Sequence, residues 1–273
     1  MNYVLGMKIS ITSRKPQTTR HRILGIKTTD NVQMVFVDTP GLHGDHRREM
    51  NRVMNRVARA ALDEVDVVLF LIDAMHWDSD DDLVLRQLKS SEKPVILVVN
   101  KIDLIKQKEL LLPFIENLFK QFDFQTIVPI SAKTGLQVNE LEQALEKLLP
   151  HEGNLFPPEQ FTDRSDRFIA AEFVREQLMR SLGDEIPYEL TVEIESLEEN
   201  KKIIKIAALI WVSKESQKAI VIGTGGNVLK KVGTSARQSL EFYFDKKVLL
   251  KLWVKVKSGW TDDQTALRSF GIE

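Results

Sequence analysis

The sequence predicts an α/β unit followed by a smaller α+β unit, and three observations carry that expectation. From Ile23 to Pro150, short β-branched runs alternate with longer helical patterns, as in a mostly parallel sheet flanked by helices. The stretch Pro150 to Asp163 holds Gly153 and the pair Pro157-Pro158 and interrupts this alternation, so it reads as a linker. Beyond it the order becomes α-β-β-α-α-β. The expected division is 1–150, a linker at 151–163, and 164–273.

In order, the expected strands of the first unit are Arg22–Thr28, Val32–Asp38, Val65–Ile72, Pro94–Asn100 and Thr126–Ile130. Thr29-Asp30-Asn31 supplies turn chemistry between the first two, which predicts an antiparallel hairpin. Helical periodicity fills Arg47–Asp63, Asp80–Ser90, Lys108–Gln121 and Val138–Leu149. The second unit reads as a helix (Arg164–Leu182), two strands (Tyr188–Leu197 and Ile203–Val212) and a short helix. A glycine-rich turn, a longer helix (Val228–Phe244) and a strand (Val248–Val256) follow.

Composition sets outer bounds. A chain of 273 residues that is 43% hydrophobic and 28% charged can bury a full core. It has no cysteine, which excludes disulfides and thiolate-held zinc and fits a reducing compartment. No apolar run is long enough to span a bilayer, and the N-terminus has no signal-peptide pattern. Residues 1–187 carry 24 Lys+Arg against 28 Asp+Glu, whereas residues 188–273 carry 14 against 11. The basic C-terminal part hints at a polyanion partner, although charge runs are usually solvated faces.

Three polar strings sit where expected strands run out, the position where open α/β sheets bind ligands. Asp38-Thr39-Pro40-Gly41, followed by Leu42, plants a carboxylate at a strand tip where the water ligands of Mg²⁺ are held. Gly41 lets a backbone N–H approach a γ-phosphate; taken alone, the string is equally a strand-to-turn junction. Asn100-Lys101-Ile102-Asp103 places a carboxylate, Asp103, to accept from both the N1–H and the amine of guanine. Asn100 would brace the loop and the stem of Lys101 would cover the ring. Ser131-Ala132-Lys133 offers small residues through which a backbone N–H reaches guanine O6. The string at 100–103 is moderately specific and that at 131–133 alone carries almost nothing, but the order and spacing of all three, 62 and 31 residues, argue jointly for a guanine-nucleotide pocket. The phosphate-cradling string G-x-x-x-x-G-K followed by Ser or Thr is not in the chain.

In the second unit, Gly223-Thr224-Gly225-Gly226 lies between Ala219–Ile222 and Val228-Leu229-Lys230-Lys231. That placement matches the glycine loop of KH modules, which clamps a single-stranded nucleic-acid backbone, with Lys230 and Lys231 adding charge at the groove edge. In isolation the loop is as readily a plain turn; the surrounding α-β-β-α-α-β order favours the KH reading.

Over essentially its whole length the chain resembles the Era family of bacterial translation-factor-class GTPases. Lys8 to Arg22 is similar to that family's first switch region, and Leu252-Trp253-Val254-Lys255-Val256-Lys257-Ser258-Gly259-Trp260 with Ala266-Leu267-Arg268-Ser269 resembles its C-terminal signature. The resemblance implies a P-loop-NTPase-type G-domain and an α+β type II KH domain. It implies GTP hydrolysis with GTP or GDP and Mg²⁺ as cofactors, binding to the 3′ end of 16S rRNA, and a role in maturation of the 30S ribosomal subunit. Cytoplasmic location follows, with room for peripheral association with the inner membrane. Carried over by position, Thr19 would hold Mg²⁺ and the attacking water, with Asp38 behind the metal and Gly41 at the γ-phosphate. Leu42 stands where Ras-like enzymes place a water-orienting Gln, so intrinsic hydrolysis is expected to be slow. Thr224-Gly225 lacks the basic residue common in the family's glycine loop, which lowers the expected RNA affinity.

The N-terminus departs from the family pattern. Family members place a strand and the phosphate loop before a helix ending in a segment like Leu5-Gly6-Met7-Lys8, so this sequence is expected to begin inside that helix. Met1 then reads as an internal methionine, with about two dozen residues upstream of it. Val32–Asp38 and Val65–Ile72 are expected to flank an open slot. Two readings compete: an Era-like GTPase impaired or inactive as this polypeptide, and an RNA-binding remnant without tight nucleotide binding. A structural adaptor has little support, because the base-reading strings are intact.

Overall fold

The computed structural model describes residues 1–15, 17–42, 48–150, 153–183 and 186–272. Pro16 of the first switch-like segment, Arg47 at the start of an expected helix, His151 and Glu152 of the linker and the terminal Glu273 therefore lie outside the described residues. Helix α1 is one short turn (Asn2–Leu5). Strands β1 (Ile23–Thr28) and β2 (Gln33–Asp38) form the expected antiparallel hairpin, with Ile23 opposite Asp38. Helix α2 (Glu49–Glu64) leads to β3 (Val68–Asp73), then α3 (Ser79–Leu88), β4 (Val95–Asn100), α4 (Leu111–Phe119), β5 (Thr126–Pro129) and α5 (Val138–Glu146). The helix expected from Lys108 opens instead as a 3₁₀ turn, Lys108–Leu110, and α4 takes Pro113 in its first turn, where no intrahelical N–H is needed.

Strands β3, β4 and β5 pair in parallel in that order. Every residue of β4 from Val95 to Val99 is buried, and the two-residue period sends Val95, Leu97 and Val99 to one core while Ile96 and Val98 enter another. The first core also takes Phe70, Ile72, Leu85, Leu88 and Leu118, and the second Met34, Val128, Ile130 and the α5 residues Val138, Leu141 and Leu145. Among the described residues, β2 and β3 share no ladder: the hairpin is its own two-stranded sheet. Leu71, in the middle of β3, is 52% exposed at that free edge.

The interruption at 153–163 is tied to the hairpin. Ile26 N–H donates to the Phe161 carbonyl at 2.9 Å, and Gln33 Oε1 accepts from the N–H groups of Leu155 and Phe156, both at 2.8 Å. The outer edge of the hairpin, which lacks a strand partner, finds its hydrogen bonds there.

Helix α6 (Asp166–Ser181), β6 (Leu190–Glu199), β7 (Ile203–Val212), α7 (Glu215–Ile222), α8 (Asn227–Phe244) and β8 (Lys247–Val256) realise the expected order. β7 is central, antiparallel to β6 and parallel to β8. Its alternate residues Ile204, Ile206, Ala208, Ile210 and Val212 are buried in clusters shared with α6 and α8.

A final helix, α9 (Gln264–Ser269), follows a 3₁₀ turn at Trp260–Asp262, and neither was expected. Six residues are too few for a periodicity signal. Trp260, Ala266, Leu267 and Ile272 pack with Met50, Val53 and Met54 of α2, so the C-terminal segment is docked on the first unit.

Candidate functional site

Parallel pairing puts Asp73 level with Asn100 at the ends of β3 and β4, and β5 ends beside them. Asn100 Oδ1 accepts from the N–H of Lys101 at 2.8 Å and of Ala132 at 3.0 Å, which joins the second and third strings. Ile102 N–H to the Ile130 carbonyl, 3.2 Å, is a second tie between them. Asn100 therefore ties its own loop to the 131–133 turn. Lys101 adopts a left-handed conformation, φ 66°, and its Nζ pairs with Asp73 Oδ2 at 2.5 Å. Asp103 stands on the following 3₁₀ turn with its carboxylate exposed. Ser131 is fully buried and its Oγ accepts from Thr134 N–H at 3.2 Å, closing the turn; Lys133 is exposed. The structure thus brings Asn100, Lys101, Asp103, Ser131, Ala132 and Lys133 to one end of one sheet.

Asp38, Thr39, Pro40, Gly41 and Leu42 belong to the other sheet, continuing from the tip of β2. Pro40 is buried and Gly41 exposed. Ser10 Oγ donates to Asp38 Oδ2 at 2.6 Å. Burial pushes the Asp38 carboxyl above its ordinary value, opposed by that hydrogen bond.

Thr19 lies in a segment held on both sides by the second unit. The carbonyl of Thr18 accepts from the guanidinium of Arg175 on α6, and Arg20 Nη1 donates to the Leu190 carbonyl at 2.7 Å. Upstream, Glu176 Oε1 accepts from Thr12 N–H at 2.9 Å, while the other oxygen of Glu176 takes the Lys8 ammonium. Arg175 is itself paired with Glu172 at 2.6 Å, both side chains almost completely buried. Sequence reasoning missed these residues. The available signal was that α6 mixes charged and apolar residues around its whole circumference and does not segregate them to two faces, so it has no solvent face of its own.

In the second unit Gly223-Thr224-Gly225-Gly226 forms a 3₁₀ turn between α7 and α8. Gly225 and Gly226 have φ of 59° and 79°, conformations that side chains disfavour, which explains two adjacent glycines. The turn opens a groove of about 420 Å³ lined by Gly226, Leu229, Lys230, Gly233, Arg237 and Leu252, among others. Lys230 is on its wall, and Lys231 is exposed one position on. A floor of leucines with cations on the rim suits the bases and phosphates of a single strand.

Comparison with known proteins assigns both units. A family model described as "50S ribosome-binding GTPase" matches residues 1–101, and one described as "KH domain" matches residues 185–261. The chain is 56% identical over 273 residues to the GTPase Era of Coxiella burnetii, covering 100% of this chain and 92% of that one. It is 52% identical over 272 residues to the GTPase Era of Haemophilus influenzae, covering 99% and 90%. Among solved structures it superimposes on Era in complex with MgGDPNP and nucleotides 1506–1542 of 16S ribosomal RNA, with a TM-score of 0.95, 38% identity and coverage of 99% and 92%. An Aquifex aeolicus Era variant bound to GDP·AlF4⁻ matches with the same TM-score and identity.

Proposed function

The chain belongs to the Era family of GTPases, and on that premise we propose that it couples guanine-nucleotide recognition to binding of the 3′ end of 16S rRNA during 30S maturation. The observation that carries the nucleotide half is the Asn100–Ala132 bond, which holds the two base-reading strings as one surface beside the exposed carboxylate of Asp103. In this reading residues 1–150 form the G-domain, 151–163 the connection and 164–273 the RNA-binding domain. GTP or GDP with Mg²⁺ is the cofactor set. The protein works in the cytoplasm, with peripheral contact to the inner membrane. Among the described residues no helix is long and apolar enough to cross a membrane.

The residues present fit the parts of the nucleotide unequally. Asp103, Asn100, Lys101 and the 131–133 backbone suit guanine. Thr19 and Asp38 offer oxygen ligands of the kind Mg²⁺ prefers, but Asp38 is partly buried and already engaged by Ser10. No run in the sequence supplies the backbone cradle and lysine for the phosphates. For the base contacts alone, a few hydrogen bonds of about 0.5–3 kcal/mol each, set against the entropy of association, give millimolar affinity or worse. In the RNA half, Gly223, Thr224, Gly225 and Gly226 approach the backbone and Lys230 and Lys231 supply charge.

Titration with fluorescent GDP and GTP and with labelled single-stranded RNA tests both halves. Weak nucleotide binding beside salt-sensitive RNA binding is expected. Micromolar GDP binding overturns the phosphate argument, and RNA affinity that survives replacing Thr224 and Gly225 by aspartates overturns the assignment of the glycine loop.

A further inference from the structure

We propose that the outer face of strand β8 is a second single-stranded-RNA surface, on which Lys247 and Lys251 hold phosphates and Trp253 stacks on a base. The proposal rests on the RNA-binding reading above and adds a face that the glycine-loop groove does not include.

β8 is an edge strand of its sheet, so one hydrogen-bonding edge lacks a strand partner, and its alternate residues divide between the core and an outer face. Its inward residues Leu250 and Leu252 line the groove beside the glycine loop. The outward residues are Lys247, Leu249, Lys251, Trp253 and Lys255, in strict alternation of lysine with a large apolar group. Trp253 is 43% exposed and Leu249 42%. Lys255 lies over Trp211 at 5.8 Å and Lys257 over Phe270 at 4.8 Å, so those rings are already covered by cations. Among the described residues, no ring or cation is stacked on Trp253.

Charge confines the surface to this edge. The β7 residues level with Leu249, Lys251 and Trp253 are Lys205, Ala207 and Leu209, none of them acidic. Glu193 and Glu198 stand on β6, two strands and about 10 Å away, where they repel a polyanion. An RNA leaving the groove over Leu250 and Leu252 crosses the edge strand and meets lysines with an indole between them. An indole stacks on any base, and lysines track the backbone, so the surface is tolerant of sequence. An acidic polypeptide would satisfy the lysines and leave the indole without a planar partner.

The test uses the full chain with two labelled RNAs, one of about 5 nucleotides that fills a loop clamping about four, and one of about 15. Trp253→Ala and Lys251→Glu should each weaken the longer RNA about tenfold and leave the shorter unchanged. Replacing Thr224 and Gly225 by aspartates should weaken both. Lys251 is exposed, so a loss in Lys251→Glu with an unchanged melting temperature is not a folding defect. Unchanged affinity of the longer RNA in both variants overturns the proposal. Binding of poly-glutamate that Lys251→Glu abolishes, with RNA binding intact, overturns it in favour of an acidic protein partner. Absence of binding to either RNA by the unaltered chain overturns the RNA-binding reading, and this proposal with it.

Discussion

The backbone N–H of Ala132 donates to Asn100 Oδ1 at 3.0 Å, and through that bond the string at 100–103 and the string at 131–133 are held together. Asn100→Ala would leave the N–H groups of Ala132 and Lys101 without their acceptor, at about 1 kcal/mol or more. Hydrogen exchange at Ala132 should accelerate in that variant and remain slow in Asn100→Asp, which keeps the acceptor.

Base choice should reside in Asp103. Asp103→Asn exchanges an acceptor for a donor, so in a version given a grafted phosphate loop the preference should move from GDP towards XDP. Competition binding of the two diphosphates measures this, and an unchanged preference removes Asp103 from the role.

The buried Glu172–Arg175 pair of α6, whose guanidinium also donates to the Thr18 carbonyl, should be sensitive to substitution. Glu172→Ala leaves a buried guanidinium without its counter-ion and should cost about 3–5 kcal/mol in urea unfolding. Replacing both residues by leucine and methionine should cost less than Glu172→Ala, because the Arg175 charge is removed with its counter-ion, while the buried Arg20 still loses a nearby carboxylate.

Acid should loosen the same region. His21 is buried with Nδ1 2.9 Å from the Gly271 carbonyl. Burial lowers its pKa, helped by Arg175 and Arg164 and opposed by Glu172 and the Gly271 bond. The folded state therefore binds fewer protons than the unfolded one, whose histidine titrates near about 6.5. Stability is complete above that value and is lost as pH falls through the folded value. Glu172 adds a second loss at lower pH: burial alone would raise its pKa, but Arg175 with His21 and Arg20 holds it below the ordinary value. Melting temperature should fall from pH 7 to 5, and His21→Gln should flatten that slope.

Trp260→Ala should cost about 3–5 kcal/mol, since the indole is fully buried against α2 and Phe270, with Nε1 3.3 Å from the Glu189 carbonyl. Proteolysis should then release the α9 segment while the sheet β6-β7-β8 persists.

Legibility followed the range of the interactions. β7 was bounded to the residue, Ile203–Val212, because alternation and turn chemistry are local. The strand expected from Val65 starts at Val68, because α2 runs on to Glu64. The final helix was missed because six residues carry no periodicity and its apolar residues pack on Trp260 and on α2, about two hundred residues earlier.

The sequence by itself determined the two fold types, the three strings at strand tips and the glycine loop. These depend on side-chain period and on short strings whose chemistry is self-contained. Only the tertiary structure decided that Asn100 joins two strings and that Glu172, Arg175 and Glu176 of α6 hold the segment around Thr19. It also decided that the C-terminal segment is docked on α2 and that β8 presents lysine and tryptophan to solvent. In each case the partners are distant in sequence or share a face set by the packing of other elements, and no local pattern encodes which side of a helix or strand its neighbours will cover.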